Sequence, residues 1–274
     1  MVSCDAGMSA TRGQVIINNR NVSYLRWGDG LRHIVLLHGI TSSARSWWRV
    51  APVLANLDFT VTAFDMPGHG ESSTLTTHDI ASLAQHIATT CETLGISVHT
   101  LIGHSWGGAV SIAAASLIRP QQLALIDPLV ALDTDWGAQV VARFSEGIGQ
   151  AVHQTTPWLS ARNKLWHRCD VYWKAEALQQ CRHEAVDGLF LHSGSWDLVG
   201  ALIALPAPTL CLVASAESTV INLSHQQLLA TRLQQNGGQF LQIGGTDHNM
   251  HRAGFDLTMP AILSWIKQER AWTA

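Results

Sequence analysis

The residues most able to do chemistry are Gly103-His104-Ser105-Trp106-Gly107, a G-x-S-x-G run. A short apolar run predicted as a strand precedes it, and a segment of helical periodicity follows. A sharp strand-to-helix turn forces its central residue into a strained backbone conformation and lifts that hydroxyl to the carboxyl edge of a sheet. Glycines are needed on either side because side chains there would collide with neighbouring backbone. The chemistry such a serine offers is nucleophilic attack on an acyl carbon. A serine hydroxyl is a weak nucleophile until a base takes its proton, so a histidine and an orienting carboxylate must exist elsewhere. His248 and His251 follow the last predicted strand and are both candidates for the base; the other twelve histidines read as surface, capping or packing residues. His104 reads as packing within the turn.

The elements that would position these residues alternate. Gln14–Asn18 and Asn21–Trp27 read as a hairpin around an Asn-rich turn, followed by strands at His33–Leu37, Phe59–Phe64, His99–Ile102 and Leu123–Ile126. Between them, Thr77–Leu94 carries apolar residues at steps of three and four, and Gly107–Ile118 is a second helix. Strands resume at Thr209–Ala214 and Gln239–Ile243, with helices at Leu223–Leu233 and Phe255–Glu269. Alternation of this kind predicts an α/β fold: a mostly parallel, doubly wound sheet with helices on both faces. Residues 128–205 hold no strand run, contain five of the eleven tryptophans and read as short helices. The expected organisation is a core of residues 1–127 and 206–274, with a helical cap, 128–205, inserted after the strand that ends at Asp127.

In their order and spacing, IVLLHG, FDMPGHGES, LIGHSWGG, PTLCLVASAES and GGTDHNMHR resemble the α/β-hydrolase superfamily over nearly the whole chain. The resemblance implies an α/β-hydrolase fold with a cap, and a serine hydrolase, esterase-like, that needs no cofactor and no metal. It makes His248 the base, as the first histidine of the motif. It places the triad acid at Glu217, with Asp127 as the alternative that some cap-bearing members use; Asp247, adjacent to His248, is discounted. Backbone N–H groups of Ile40 and Trp106 become the expected oxyanion hole. Asp65 and Arg45 read as structural, Asp65 bracing the PGHGES turn. The cap tryptophans Trp136, Trp158, Trp166 and Trp173 are candidates for a pocket that takes a small, apolar or aromatic substrate. Arg162 and Arg168 are weighed as carboxylate anchors and read as surface residues. Trp265 and Trp272 are expected to be a core and a surface residue.

The implied reaction is hydrolysis of a carboxylic ester, with carbon–carbon bond cleavage or lactone opening on the same triad as the alternative. A ligand receptor with little turnover is a third reading. Composition excludes other classes. Charged residues are only 14% of the chain and the net charge is −3, which leaves no basic field for nucleic acid. Thr93–Ile118 has no Asp, Glu, Lys or Arg and is long enough to span a membrane. Its four glycines and the G-x-S-x-G turn argue against a transmembrane helix. The first residues hold no apolar signal segment, and five widely spaced cysteines argue against a disulfide framework and for a reducing cytoplasm. The sequence leaves the oligomeric state open.

Overall fold

The computed structural model describes Cys4 and residues 9–268 of the chain. Trp272 and the end of the last predicted helix, at Glu269, lie outside the described residues. β1 (Thr11–Ile17) and β2 (Arg20–Trp27) form an antiparallel hairpin. Asn18 and Asn19 both take positive φ at its two-residue turn, a conformation that asparagine tolerates better than most residues. Strands β3 (Arg32–Leu37), β4 (Phe59–Phe64), β5 (Val98–His104), β6 (Gln122–Ile126), β9 (Thr209–Val213) and β10 (Gln239–Gln242) pair in parallel. The eight-stranded sheet runs β1-β2-β4-β3-β5-β6-β9-β10. A separate two-stranded ladder, β7 (Ala131–Leu132) with β8 (Trp196–Asp197), ties together the two ends of the segment between β6 and β9. Two-residue strands of this kind leave no readable period in a sequence.

Side chains alternate between two cores, as a doubly covered sheet requires. Val35, Leu37, Leu101, Leu123, Leu125, Cys211 and Val213 face one layer. Ile34, Leu36, Ile102, Ala124, Ile126, Leu210 and Leu212 face the other. The first layer is closed by α2 (Ile80–Thr93) and α3 (Trp106–Ile118), the second by α1 (Val50–Ala55) and α11 (Phe255–Ile266). Asp79 caps α2, its carboxylate accepting the Ser82 N–H at 2.9 Å. The uncharged stretch Thr93–Ile118 is largely β5 and α3, buried between layers. No described helix is long and apolar enough to cross a membrane.

Between β6 and β9 the chain forms α4 (Thr134–Ser145), α5 (Val152–Arg162), α6 (Arg168–Gln180), α7 (His183–Asp187), a π-turn (Gly188–His192) and α8 (Val199–Ala204). Arg45 docks this segment on the sheet domain, pairing with Glu176 at 2.9 Å and stacking 4.3 Å from the Trp173 ring centre. After β9 come α9 (Leu223–Gln235) and, preceding α11, the short α10 (Met250–Ala253). Cys4 and Cys169 form a disulfide between the start of the chain and α6. One disulfide is therefore present where the cysteine spacing argued against a disulfide framework, which removes the support that cysteine usage lent to a reducing compartment.

Candidate active site

Ser105 sits between β5 and α3 with φ 53 and ψ −120, the strained corner expected of the turn. Close packing explains its glycines. A Cβ on Gly103 would strike Ser111 Oγ and meet the Gly107 carbonyl oxygen at 2.5 Å. One on Gly107 would strike the carbonyl of Leu37 and lie 2.5 Å from that of His38. α3 can therefore approach β5 and the end of β3 only when these positions lack side chains.

The imidazole of His248 lies between Ser105 and Asp127. Its Nε2 is 2.9 Å from Ser105 Oγ, and its Nδ1 is 2.6 Å from Asp127 Oδ2. Asp127 is fully buried at the end of β6, with φ 42. Its carboxylate also accepts the Ala214 N–H (3.2 Å), the Thr219 hydroxyl (2.6 Å) and the Val220 N–H (3.3 Å). Its two oxygens can accept all four of these bonds. The preferred sequence candidate for the acid lies elsewhere. Glu217 is exposed on the loop after β9 and makes no hydrogen bond to His248. The 214–220 loop supplies donors to Asp127. Asp247 accepts the Asn249 N–H at 2.7 Å and the Trp166 indole N–H at 3.4 Å, shaping the His248 loop.

The neighbouring histidines are held neutral. His104 donates from Nε2 to the His248 carbonyl oxygen at 2.9 Å, pinning that main chain. Burial pushes His104 and His251 well below the ordinary histidine range. His251 stacks 4.9 Å from the Trp47 ring and does not bond to Ser105. Burial also drives His38 and His69 down to about 3. As neutral rings they fix the loop after β3: His38 Nε2 accepts the Met66 N–H at 2.9 Å, and His69 Nε2 accepts the Thr41 N–H at 3.0 Å. Asp65 completes that brace, accepting the Ala44 N–H at 2.8 Å and the Glu71 N–H at 3.3 Å. Among the described residues, the N–H groups of Ile40 and Trp106 donate to no protein acceptor.

A cavity of about 560 Å³ opens onto Ser105 and His248. Trp158 and Trp166 line it together with Phe144, Leu159 and Leu178. The other two expected pocket residues lie elsewhere. Trp136 faces a second depression beside Trp196 and packs edge-on against Phe190 at 6.1 Å. Trp173 is 2% exposed and serves the docking of Arg45. Arg162 reaches the cavity rim but is paired with Glu146 at 2.6 Å; Arg168 is exposed outside it. Sequence reasoning missed two cations in this cavity, Lys174 and Arg252. A signal existed for the first. Lys174 stands three residues from Val171 and four from Leu178, on the buried stripe of α6. No group of three or more His, Cys, Asp or Glu side chains suited to a metal ion occurs among the described residues.

The fold and this corner define a class. A family model described as the alpha/beta hydrolase fold matches residues 32–146. A solved E-2-(acetamidomethylene)succinate hydrolase superposes with a TM-score of 0.79 at 22% identity, over 94% of this chain and 99% of that one. The chain has the α/β-hydrolase fold. It is 29% identical to the N-formylmaleamate deformylase of Pseudomonas putida over 211 residues, 74% of this chain and 77% of that protein. It is 35% identical to the dihydrolipoyllysine-residue acetyltransferase component of the acetoin cleaving system of the same species, over 134 residues. The match spans about a third of that protein's length, 32%.

Proposed function

We propose that the chain is a serine hydrolase acting on a carboxylic ester or related acyl bond, with Ser105, His248 and Asp127 as its triad. One observation carries this reading: the continuous relay from Ser105 Oγ through His248 to Asp127, at 2.9 and 2.6 Å. Asp127, accepting from Nδ1–H, fixes the tautomer that leaves Nε2 free to accept the serine proton. Ser105 Oγ then bonds to the acyl carbon as His248 takes that proton. The oxyanion is met by the unengaged N–H groups of Ile40 and Trp106, both preset by the Ser105 corner and by the His38 and His69 brace. His248 returns the proton to the leaving oxygen as the carbon–oxygen bond breaks. Water, deprotonated by the same imidazole, cleaves the acyl-enzyme, releasing the acid and restoring the serine.

The helices between β6 and β9 act as the cap, bringing Trp158, Trp166, Lys174 and Leu178 over the nucleophile. A preset relay of this kind also favours turnover over a receptor role. Release of p-nitrophenol from p-nitrophenyl butyrate tests the reading: the wild type turns over, and Ser105→Ala and His248→Ala each lose at least a thousandfold in kcat. Full activity in either variant overturns it.

A further inference from the structure

Two cations in the cavity have no part in the acyl-transfer steps. Arg252, four residues past His248, is 3% exposed and lines the cavity. One terminal nitrogen, Nη2, donates to Ser42 Oγ at 2.7 Å, and the Trp166 ring centre lies 4.6 Å from the guanidinium. The Nε–H of Arg252 is buried without a partner. Lys174 crosses from α6 of the cap to donate to Thr41 O at 2.7 Å and Thr41 Oγ1 at 2.5 Å, leaving one of its three ammonium protons uncommitted.

The two charges are near enough to oppose one another. Asp170 and Asp247 are the acids whose charges Arg252 feels, yet among the described residues neither forms an ion pair with it. Asp170 instead accepts the Trp48 indole N–H at 2.8 Å. A cation pair withdrawn from water without a paired anion is costly, and its cost is offset only by a counter-charge that arrives from outside. Arginine with a free N–H edge beside a lysine point charge matches a carboxylate. The position is specific too. Both cations anchor on Thr41 and Ser42, the residues directly after Ile40. Ile40, Ser105 and both cations line one cavity of about 560 Å³, so an anion they bind is held in the same small space as the nucleophile.

We propose that Arg252 and Lys174 form a carboxylate site, and that the substrate is a half-ester or related acyl derivative of a short dicarboxylic acid. The substrate class rests on the Ser105 reading; the anion site does not. The apolar or aromatic substrate expected from the tryptophans is thereby replaced by an anionic one whose carbon chain lies against Trp158 and Trp166.

The test compares methyl hydrogen succinate and methyl hydrogen glutarate with methyl butyrate, following proton release. The wild type should favour at least one half-ester by tenfold or more in kcat/KM. Arg252→Gln and Lys174→Met should each lower that ratio at least tenfold, whatever happens to the absolute rate. A wild-type ratio of one or less for both half-esters overturns the substrate class. Calorimetry of glutarate against butyrate on Ser105→Ala tests the site without turnover. Glutarate should bind, butyrate should not, and Lys174→Met in that background should abolish binding. If glutarate fails to bind, the anion site is overturned even where esters are cleaved. If it binds while no ester is cleaved, the site stands and the hydrolase reading falls. The wild-type ratio and the Lys174 variant decide the matter should Arg252→Gln not fold.

Discussion

Replacing Asp127 by asparagine changes one oxygen to an amide nitrogen, and the hydrogen bonds around that oxygen set the consequence. Asp127 Oδ2 receives the His248 Nδ1–H at 2.6 Å and the Val220 N–H at 3.3 Å. An amide nitrogen there donates, so His248 must present a bare Nδ1 and carry its proton on Nε2. That proton points at Ser105 Oγ, 2.9 Å away, and the base can no longer accept. Wrong-tautomer substitutions of this kind cost about 10⁴ in kcat, or about 5 kcal/mol of barrier. Turning the amide over would spare the histidine but oppose the Thr219 hydroxyl and the Ala214 N–H, at roughly 1–3 kcal/mol of stability. Glu217 is exposed, and Glu217→Ala should change kcat by no more than about twofold, the scale of a surface substitution. The assay is kcat on p-nitrophenyl butyrate for both variants, with thermal unfolding to show that each is folded. A larger loss in Glu217→Ala, or an Asp127→Asn enzyme within tenfold of wild type, would refute the assignment.

Other consequences are as specific. Gly107→Ala places a methyl group against two backbone carbonyls, which cannot rotate aside; it should cost at least about 1–3 kcal/mol, seen as a fall of several degrees in Tm. An unchanged Tm would mean that β3 and α3 are not so close. Burial and the neighbouring Arg252 hold the Lys174 ammonium down at about 7. A lowered cation is charged below that value and neutral above it, so glutarate binding to Ser105→Ala should weaken by up to about tenfold from pH 6 to pH 8. Cys181, the other titrating group coupled to Lys174, is pushed up to about 12 and stays a thiol throughout, while His104 and His251 stay neutral. A flat calorimetric profile would show that the Lys174 charge is not used. Reducing the Cys4–Cys169 bond should lower stability by up to about 2–4 kcal/mol, checked by Tm with and without a thiol reductant; an unchanged value would show that the bond does not constrain the chain.

Much of the fold was legible because its signals are local. The strand Phe59–Phe64 is found at the residues predicted, since a run buried on both faces is apolar from end to end. The Ser105 corner was legible for a similar reason: close approach of β5, α3 and β3 excludes side chains at Gly103 and Gly107, and the sequence records that exclusion. What escaped depends on distant parts of the chain. Which of Glu217 and Asp127 lies beside His248 could not be read from the two residues alone, because it depends on where the 214–220 loop aims its N–H groups. Trp158 and Trp166 differ from Trp136 and Trp173 only in which way their helices face, which no spacing reveals. The disulfide joins residues 165 apart, and Lys174 reaches Thr41 only because the helices between β6 and β9 lie across the loop after β3.

The central claim is that Ser105 is a nucleophile activated by His248. Treating the protein with a fluorophosphonate and locating the adduct by peptide mass spectrometry tests it most directly. A single adduct on Ser105, absent from Ser105→Ala and slowed at least a hundredfold in His248→Ala, is the predicted result. An adduct on any other residue, or labelling that proceeds undiminished without His248, would contradict it.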